Sequence, residues 1–142
     1  MIRNKIIATA VVAAALVTGV STGASADTLK SSVSDWNVGH PTKARTATQS
    51  TQSIRLNNCV WSTRTGTGNP ASKSQWQLQT PNSFGTWTSV SNKTQTCNSK
   101  SVSWSGSKGA QYRYQFNGAF DSSGNWLGSG FLFSANPIVI NY

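Results

Sequence analysis

The residue types that usually carry catalysis are scarce in this chain. It contains one histidine, three aspartates at positions 27, 35 and 121, and no glutamate. General acid–base catalysis needs titratable groups placed together, and most glycosidases need a pair of carboxylates. His40 stands beside Pro41 in a polar segment, and no nucleophile-elbow sequence accompanies it. We therefore predict that the protein is not an enzyme and has no catalytic residue, metal site or cofactor.

The two cysteines, Cys59 and Cys97, are best explained as a structural pair. They do not form a C-x-x-C motif, and a zinc site would require further histidine or cysteine ligands that the sequence does not supply. An even pair of cysteines in an exported chain most simply predicts one disulfide, Cys59–Cys97.

The sequence contains more residues suited to ligand binding than to catalysis, because six tryptophans accompany two rows of polar residues. A small β-domain fills its core with bulky side chains, so we assign about four tryptophans to the core and leave one or two to stack on sugar rings. The polar rows are Gln75, Gln77 and Gln79, and Arg113, Gln115 and Asn117. From both sets we predict the ligand-binding residues Trp76, Trp87, Trp126, Gln75, Gln77, Arg113 and Gln115. The alternative for either row is an ordinary solvated sheet face.

The net charge is strongly positive, at +9 for the whole chain. Loss of Arg3 and Lys5 with a signal peptide would leave ten basic and three acidic residues, a net charge of +7. Such a field attracts cell-wall polymers, anionic membranes and other polyanions, although solubility alone would also explain it. Nucleic-acid motifs are absent from the sequence, so we expect no specific nucleic-acid partner. The composition does not indicate an oligomeric state.

The N-terminus reads as a secretory signal peptide over residues 1–26. Arg3 and Lys5 form a positive region, an apolar run follows, and Ala24-Ser25-Ala26 fits the cleavage pattern. We expect cleavage after Ala26 and release of a secreted, extracellular protein. A membrane-retained helix is the alternative, but the apolar run is short and interrupted.

The rest of the chain alternates large and polar residues in short runs, which indicates strands. We predict strands over 53–64, 74–80, 86–90, 94–105 and 138–142, and a loop from Thr65 to Lys73. The run from Gln111 to Phe133 is the richest in aromatic residues, and the turn sequence Asp121 to Asn125 divides it. We expect it to form a β-hairpin that supplies much of the core.

These runs predict an all-β fold, an antiparallel β-sandwich of about seven strands with one disulfide. The order Cys59, Trp76, Cys97 resembles that of immunoglobulin-like domains, although Gln95 stands where their tyrosine corner requires tyrosine. An immunoglobulin-like sandwich and a small barrel therefore both stay open. Residues 27–52 are expected to form an N-terminal arm or first strand, and residues 53–142 the β-sandwich domain.

Three functions fit this pattern. The favoured hypothesis is a secreted, cationic, non-catalytic domain that binds a cell-envelope glycan or an anionic wall polymer. One alternative is an antimicrobial or toxin-like protein that acts on membranes through the strand from Gln111 to Phe120, whose length would suit a bilayer. The other is an inhibitor of an extracellular hydrolase that presents the loop from Thr65 to Lys73.

Overall fold

The computed structural model describes residues 28–97 and 100–142. The predicted signal peptide and its cleavage site lie outside the described residues. The described chain is all-β and antiparallel, which confirms those parts of the predicted fold class, but it has ten strands rather than about seven. They are β1 (Thr28–Trp36), β2 (Arg45–Thr46), β3 (Thr51–Leu56), β4 (Val60–Ser62), β5 (Asn69–Pro81), β6 (Trp87–Thr96), β7 (Val102–Ser105), β8 (Gln111–Asp121), β9 (Trp126–Leu127) and β10 (Leu132–Asn141). In this part of the chain there is no helix of the length and apolarity needed to cross a membrane.

The strands form two groups that β5 connects. In the first group β5 lies between β6 and β8, and β2 and β9 pair with β8. In the second group β10 lies between β1 on one side and β3 and β4 on the other, and β7 pairs with β3. The beginning of β5 pairs with β4, where Val60 lies opposite Pro70, so one path of hydrogen-bonded strands runs through both groups.

The alternation predicted for β5 and β8 is present in the structure. Trp76 and Leu78 of β5, and Tyr114 and Phe116 of β8, are buried. The intervening residues face outward because successive side chains of a strand point to opposite faces of the sheet. The same period therefore builds one apolar and one polar face on the two paired strands.

Aromatic rings join the two groups of strands. Phe116 of β8 stacks on Phe133 of β10, with ring centroids 4.7 Å apart. Trp76 packs against both rings at centroid distances of 5.4 and 6.4 Å. Burial of an aromatic ring of this size contributes about 1.5–3 kcal/mol. This cluster is therefore a main source of the free energy that holds the groups together.

A second cluster surrounds Tyr114, whose ring contacts those of Trp104 and Tyr142 at centroid distances of 5.1 and 5.6 Å. Burial raises the pKa of Tyr114 far above its usual range, and the neighbouring Tyr142 raises it further. The phenol is neutral at any physiological pH, so it acts here as a bulky core residue.

The predicted disulfide is confirmed, since Cys59 and Cys97 are bonded with their Cα atoms 5.8 Å apart. The long strand predicted over residues 53–64 is wrong as a single element, because it breaks into β3 and β4. Asn58 has a φ of 49° at the break. Asparagine tolerates this left-handed conformation better than most residues. The break brings Cys59 beside Ala71, whose amide donates to the Cys59 carbonyl.

The hairpin predicted between Gln111 and Phe133 forms only in part. β8 and β9 pair over two positions, Ala119 with Leu127 and Phe120 with Trp126. The chain then leaves β8, and Leu132 to Ser134 pair with β4 in the other group. The turn after Asp121 therefore closes a short hairpin, while Phe133 lies in the other group of strands.

The segment expected to be an arm or first strand supplies strands to both groups. β1 pairs with β10 along nearly its whole length, from Thr28 opposite Asn141 to Trp36 opposite Phe133. The chain then passes beside β8, where Pro41 bridges Gln115 and Arg45 pairs with Tyr112. The loop expected from Thr65 to Lys73 is shorter in the structure, because β5 already begins at Asn69.

Candidate functional site

The two polar rows seen in the sequence lie side by side on the outer face of β5 and β8. Gln77 lies opposite Gln115 in the strand register, and Gln79 lies opposite Arg113. On the other side of β5, Asn92 of β6 lies opposite Gln77. Residues in register on neighbouring strands point to the same face. At these positions the face therefore carries uncharged polar side chains and one arginine.

A directed chain of side-chain hydrogen bonds crosses this face. Arg113 Nε donates to Gln79 Oε1 at 2.7 Å, and Gln79 Nε2 donates to Gln115 Oε1 at 2.9 Å. Gln115 Nε2 then donates to Asn117 Oδ1, and Asn117 Nδ2 to Asn92 Oδ1, both at 3.2 Å. Hydrogen bonds linked in one direction polarise and strengthen one another. The five side chains are therefore held in fixed orientations.

We give the name amide row to the five hydrogen-bonded amide side chains of this face, those of Gln77, Gln79, Gln115, Asn117 and Asn92. Gln79 is its centre, because its Nε2 also donates to Gln77 Oε1 while its Oε1 accepts from Arg113. Gln79 is largely buried, whereas Gln77, Gln115 and Asn117 are half-buried and Asn92 is exposed. A primary amide can make up to four hydrogen bonds, so the more exposed members keep donors and acceptors for a ligand.

Trp87 lies at one end of the amide row and holds Arg113. The guanidinium carbon of Arg113 lies 4.4 Å from the centroid of the Trp87 ring. Stacking of this kind is a favourable cation–π contact. Partial burial lowers the pKa of Arg113, but an arginine in such a position keeps its charge. One face of Trp87 is thus occupied, so this ring positions the arginine more than it offers a free platform.

Trp126 lies at the other end and is the more open ring, with 47% of its surface exposed. Its benzene edge lies over Gly118 of β8, where an added Cβ would clash with Trp126 Cη2. Phe120 supports the ring from the side with centroids 5.0 Å apart. Gly118 lies opposite Gln75, so Trp126 covers the end of the same polar face.

The structure brings together six of the seven residues that the sequence suggested for ligand binding. Gln75, Gln77, Arg113 and Gln115 lie on the outer face of β5 and β8, and Trp87 and Trp126 lie at its two ends. Trp76 is fully buried and packs in the core, so its ring cannot stack on a ligand. Trp76 and the apolar Leu78 are two residues apart and therefore share one face of β5, and this was the sequence signal that Trp76 is buried.

Three features of the site were not foreseen from the sequence. The adjacency of the two rows depends on pairing between β5 and β8, which joins residues 36 positions apart at Gln79 and Gln115. Asn92 was not recognised, because β6 extends to Thr96 and the predicted strand stopped at residue 90. Lys73 lies opposite Phe120 and so adds a cation near the Trp126 end.

Within residues 28–97 and 100–142, the remaining chemistry-bearing residues do not assemble into a second site of this kind. His40 is exposed and stacks on Trp36 with centroids 4.5 Å apart. Among the described residues no three histidine, cysteine or acidic side chains are grouped as they would be around a metal ion. A cavity of about 190 Å³ lies between β1 and β10, but Leu29, Val33 and Ile140 make its walls mainly apolar.

No protein-family model matches this chain, and no curated protein is similar to it in sequence.

Proposed function

We propose that this protein is a secreted, non-catalytic module that binds a cell-envelope glycan through the amide face. We define the amide face as the amide row together with Gln75, Arg113, Trp87 and Trp126. The observation that carries the proposal is the continuous hydrogen-bond chain from Arg113 to Asn92, with an open tryptophan beyond it.

The chemistry of this face suits sugars. A sugar ring presents C–H groups on its faces and hydroxyl groups around its edge, so it needs an aromatic surface and groups that both donate and accept. Trp126 offers the aromatic surface, and the half-buried amides of Gln77 and Gln115 offer the hydrogen bonds. Because the amides already hold one another, little side-chain freedom would be lost on binding.

The dimensions of the face suit a chain of sugars rather than a single ring. Arg113 and Gly118 are five residues apart on β8, which corresponds to about 17 Å along an extended strand. Several rings in sequence could therefore contact the face between Trp87 and Trp126. The face is open rather than enclosed, as a site for the interior of a polymer should be.

Export supports this assignment. The N-terminal sequence has the features of a signal peptide, and the Cys59–Cys97 disulfide is compatible with an extracellular location. The positive charge of the chain would concentrate it near anionic wall polymers. An anionic wall polymer is thus the second candidate ligand, and its binding would depend strongly on salt.

The geometry gives less support to the membrane and inhibitor alternatives. The side chains of Tyr112, Tyr114 and Phe116 that would have to face lipid are buried in the core. The loop offered for an inhibitor is shorter than expected, because Asn69 to Lys73 belong to β5. Neither alternative has a feature comparable to the amide face.

The test is a pelleting assay of the mature protein with purified bacterial walls at several salt concentrations. Trp126→Ala should weaken retention about 30-fold, as expected for loss of a central aromatic contact of about 2 kcal/mol. The matched control is Phe84→Ala, because Phe84 is another aromatic residue on the surface and is 89% exposed. Non-specific hydrophobic adsorption predicts the larger loss of wall retention for Phe84→Ala, whereas binding through the amide face predicts the larger loss for Trp126→Ala.

Walls stripped of teichoic acids separate the two ligands. Retention that survives both stripping and high salt supports a glycan site. Retention that disappears with either treatment, and equally in both variants, supports charge-driven binding to an anionic polymer. Failure of the wild-type protein to bind either preparation would refute the proposed function.

A further inference from the structure

The amide face has one cation within the hydrogen-bonded row, and its surroundings specify the kind of glycan. We propose that Arg113 is a receptor for an oxyanion carried by the bound glycan, either a sugar carboxylate or an ester phosphate. This inference rests on the proposed function, because it assigns the ligand class of the same face.

Arg113 is fixed in place before any ligand arrives. Its Nε donates to Gln79 Oε1 at 2.7 Å, and its guanidinium lies on the Trp87 ring at 4.4 Å. Gln79 is itself held by its bonds to Gln77 and Gln115. A guanidinium that is tethered on one nitrogen and stacked on one face has lost most of the freedom that a surface arginine normally has.

Arg113 has no carboxylate partner in the described part of the chain. The aspartates of residues 28–97 and 100–142 are Asp35 and Asp121, and both are engaged elsewhere. Asp35 accepts from the hydroxyl of Ser34, and Asp121 accepts from the amides of its own turn. The pKa of Arg113 is lowered by burial alone, with no contribution from a nearby negative charge.

The groups left over on Arg113 match an oxyanion. A guanidinium carries five N–H donors, and the bond to Gln79 uses the one on Nε, so the donors of both terminal nitrogens remain. These nitrogens form the fork that binds a carboxylate or phosphate through two parallel hydrogen bonds. Gln77 and Gln115, the half-buried amides bonded to Gln79, would hold the neutral groups of the same sugar. The site therefore combines one fixed positive charge with neutral hydrogen-bonding groups.

The experiment compares three soluble polymers by calorimetry at about 0.15 M salt, where exposed charges beyond about 8 Å are screened. They are polygalacturonate, its fully methyl-esterified form and poly(glycerol phosphate). The esterified polymer keeps the sugar chain but lacks the anionic oxygen. The protein variants are Arg113→Gln, Arg113→Lys and Arg55→Gln. Arg55 is an exposed arginine on β3 in the other group of strands, so its variant changes the net charge equally.

The wild-type protein should bind at least one anionic polymer at least about tenfold more tightly than the ester, as one charge-assisted pair predicts. Arg113→Gln should remove that preference, and Arg55→Gln should retain it. Arg113→Lys should recover little, because lysine keeps the charge but not the fork. Preference for polygalacturonate identifies a carboxylate, and preference for poly(glycerol phosphate), which has no sugar ring, identifies a phosphate of an anionic wall polymer, the second candidate ligand.

Three results would overturn the inference in different ways. Equal binding to the ester and the acid, unchanged by Arg113→Gln, refutes the oxyanion receptor but leaves a neutral glycan site in place. Equal losses in Arg113→Gln and Arg55→Gln show that the net charge, and not this arginine, attracts the polymer. Binding to none of the polymers, together with no retention on walls, refutes the proposed function as well.

Discussion

Trp126 lies over Gly118, and the glycine leaves the space that the edge of the indole ring occupies. Gly118 also has a φ of 149°, a conformation that residues with a Cβ rarely adopt. The position of the most open tryptophan on the amide face therefore depends on a residue with no side chain, on a different strand.

Substitution of Gly118 should displace Trp126 without removing it. In Gly118→Ala the new methyl group would meet the Trp126 ring, so we expect the indole to move away from the face and glycan binding to fall about tenfold or more. The measurement is wall retention together with iodide quenching of tryptophan fluorescence, which should increase as the ring becomes more exposed.

Gly109→Ala is the control for backbone strain. Gly109 also has a positive φ, 86°, but an added Cβ there would meet open space. Both variants should lose about 1–2 kcal/mol of stability from the strained backbone. Only Gly118→Ala should lose binding, and equal binding losses would show that strain rather than the ring position is responsible.

Removal of Gln79 should reduce both stability and binding. Gln79→Ala removes the hydrogen-bond partner of three side-chain atoms, Arg113 Nε, Gln77 Oε1 and Gln115 Oε1. We expect a loss of about 1–3 kcal/mol in the free energy of unfolding, because partly buried polar groups would be left unpaired. Urea denaturation measures this loss, and a change below about 0.5 kcal/mol would contradict an ordered row.

Gln79→Glu tests recognition by Arg113. A glutamate of nearly the same shape would still accept the bond from Arg113 and would add an opposite charge beside the guanidinium, but it has no N–H group to donate, so the amides of Gln77 and Gln115 must rotate to donate to it. We expect the protein to remain folded while its preference for anionic over esterified polymer disappears, since the fork would be neutralised. Calorimetry with the polymer pair measures the preference, and its persistence would argue against Arg113.

Loss of the disulfide should strongly destabilise the fold. The bond closes a loop with a sequence separation of 38 residues, for which chain entropy gives about 4 kcal/mol. The double variant Cys59→Ser/Cys97→Ser should therefore unfold at much lower urea concentration. Treatment of the wild-type protein with a reductant should have the same effect, and it should not affect the double variant.

The turn after β8 should make stability depend on acid. The side chain of Asn125 and the backbone amides of Asn125, Ser123 and Gly124 donate to Asp121 and hold the pKa of its carboxyl below the usual value. The group is ionised more readily in the folded state, so it adds stability above about pH 4, the unfolded pKa. That stability is lost as the pH falls through the lower pKa of the folded state.

The measurement is thermal unfolding at pH 6 and pH 3 for the wild type and Asp121→Asn. The wild type should lose more on acidification than the variant, whose amide does not titrate. The same loss in both proteins would assign the acid sensitivity to other groups.

Variants of two phenylalanines test which side chains are buried and which are exposed. Phe116 is buried and stacked on Phe133, whereas Phe84 protrudes from the turn between β5 and β6. Phe116→Ala should cost about 3–5 kcal/mol, and Phe84→Ala less than about 0.5 kcal/mol. Urea denaturation of both variants decides this, and similar losses would contradict the packing described.

The sequence predicted the parts of this fold that depend on local pattern. The alternation of Trp76 and Leu78 with Gln75, Gln77 and Gln79 defined a strand with two unlike faces, and the cysteine pair defined the disulfide. An alternation with a period of two shows that the two faces of a strand differ, but it does not show which other strand pairs with it. The site depends on such pairing, because Gln79 meets Gln115 across 36 residues of sequence.

Local pattern also misled where one residue decides the path of the backbone. Asn58 lies between β3 and β4 in a left-handed conformation, although the residues around it alternate as a strand does. After β9 the chain leaves β8, and Phe133 of the presumed hairpin lies in β10, which pairs with β4. Tertiary packing decided both points, so neither could be read from the neighbouring residues.

The ends of the described chain have a mechanical consequence. β1 and β10 are antiparallel neighbours, and Thr28 lies opposite Asn141. A force that pulled the two ends apart would load the bonds between these strands one after another, as a zipper opens, rather than all at once. The domain should therefore yield at low tension when it is stretched between its termini in a single-molecule experiment. A link that bears load needs strands whose bonds break together, and the pairing of β1 with β10 does not provide that geometry.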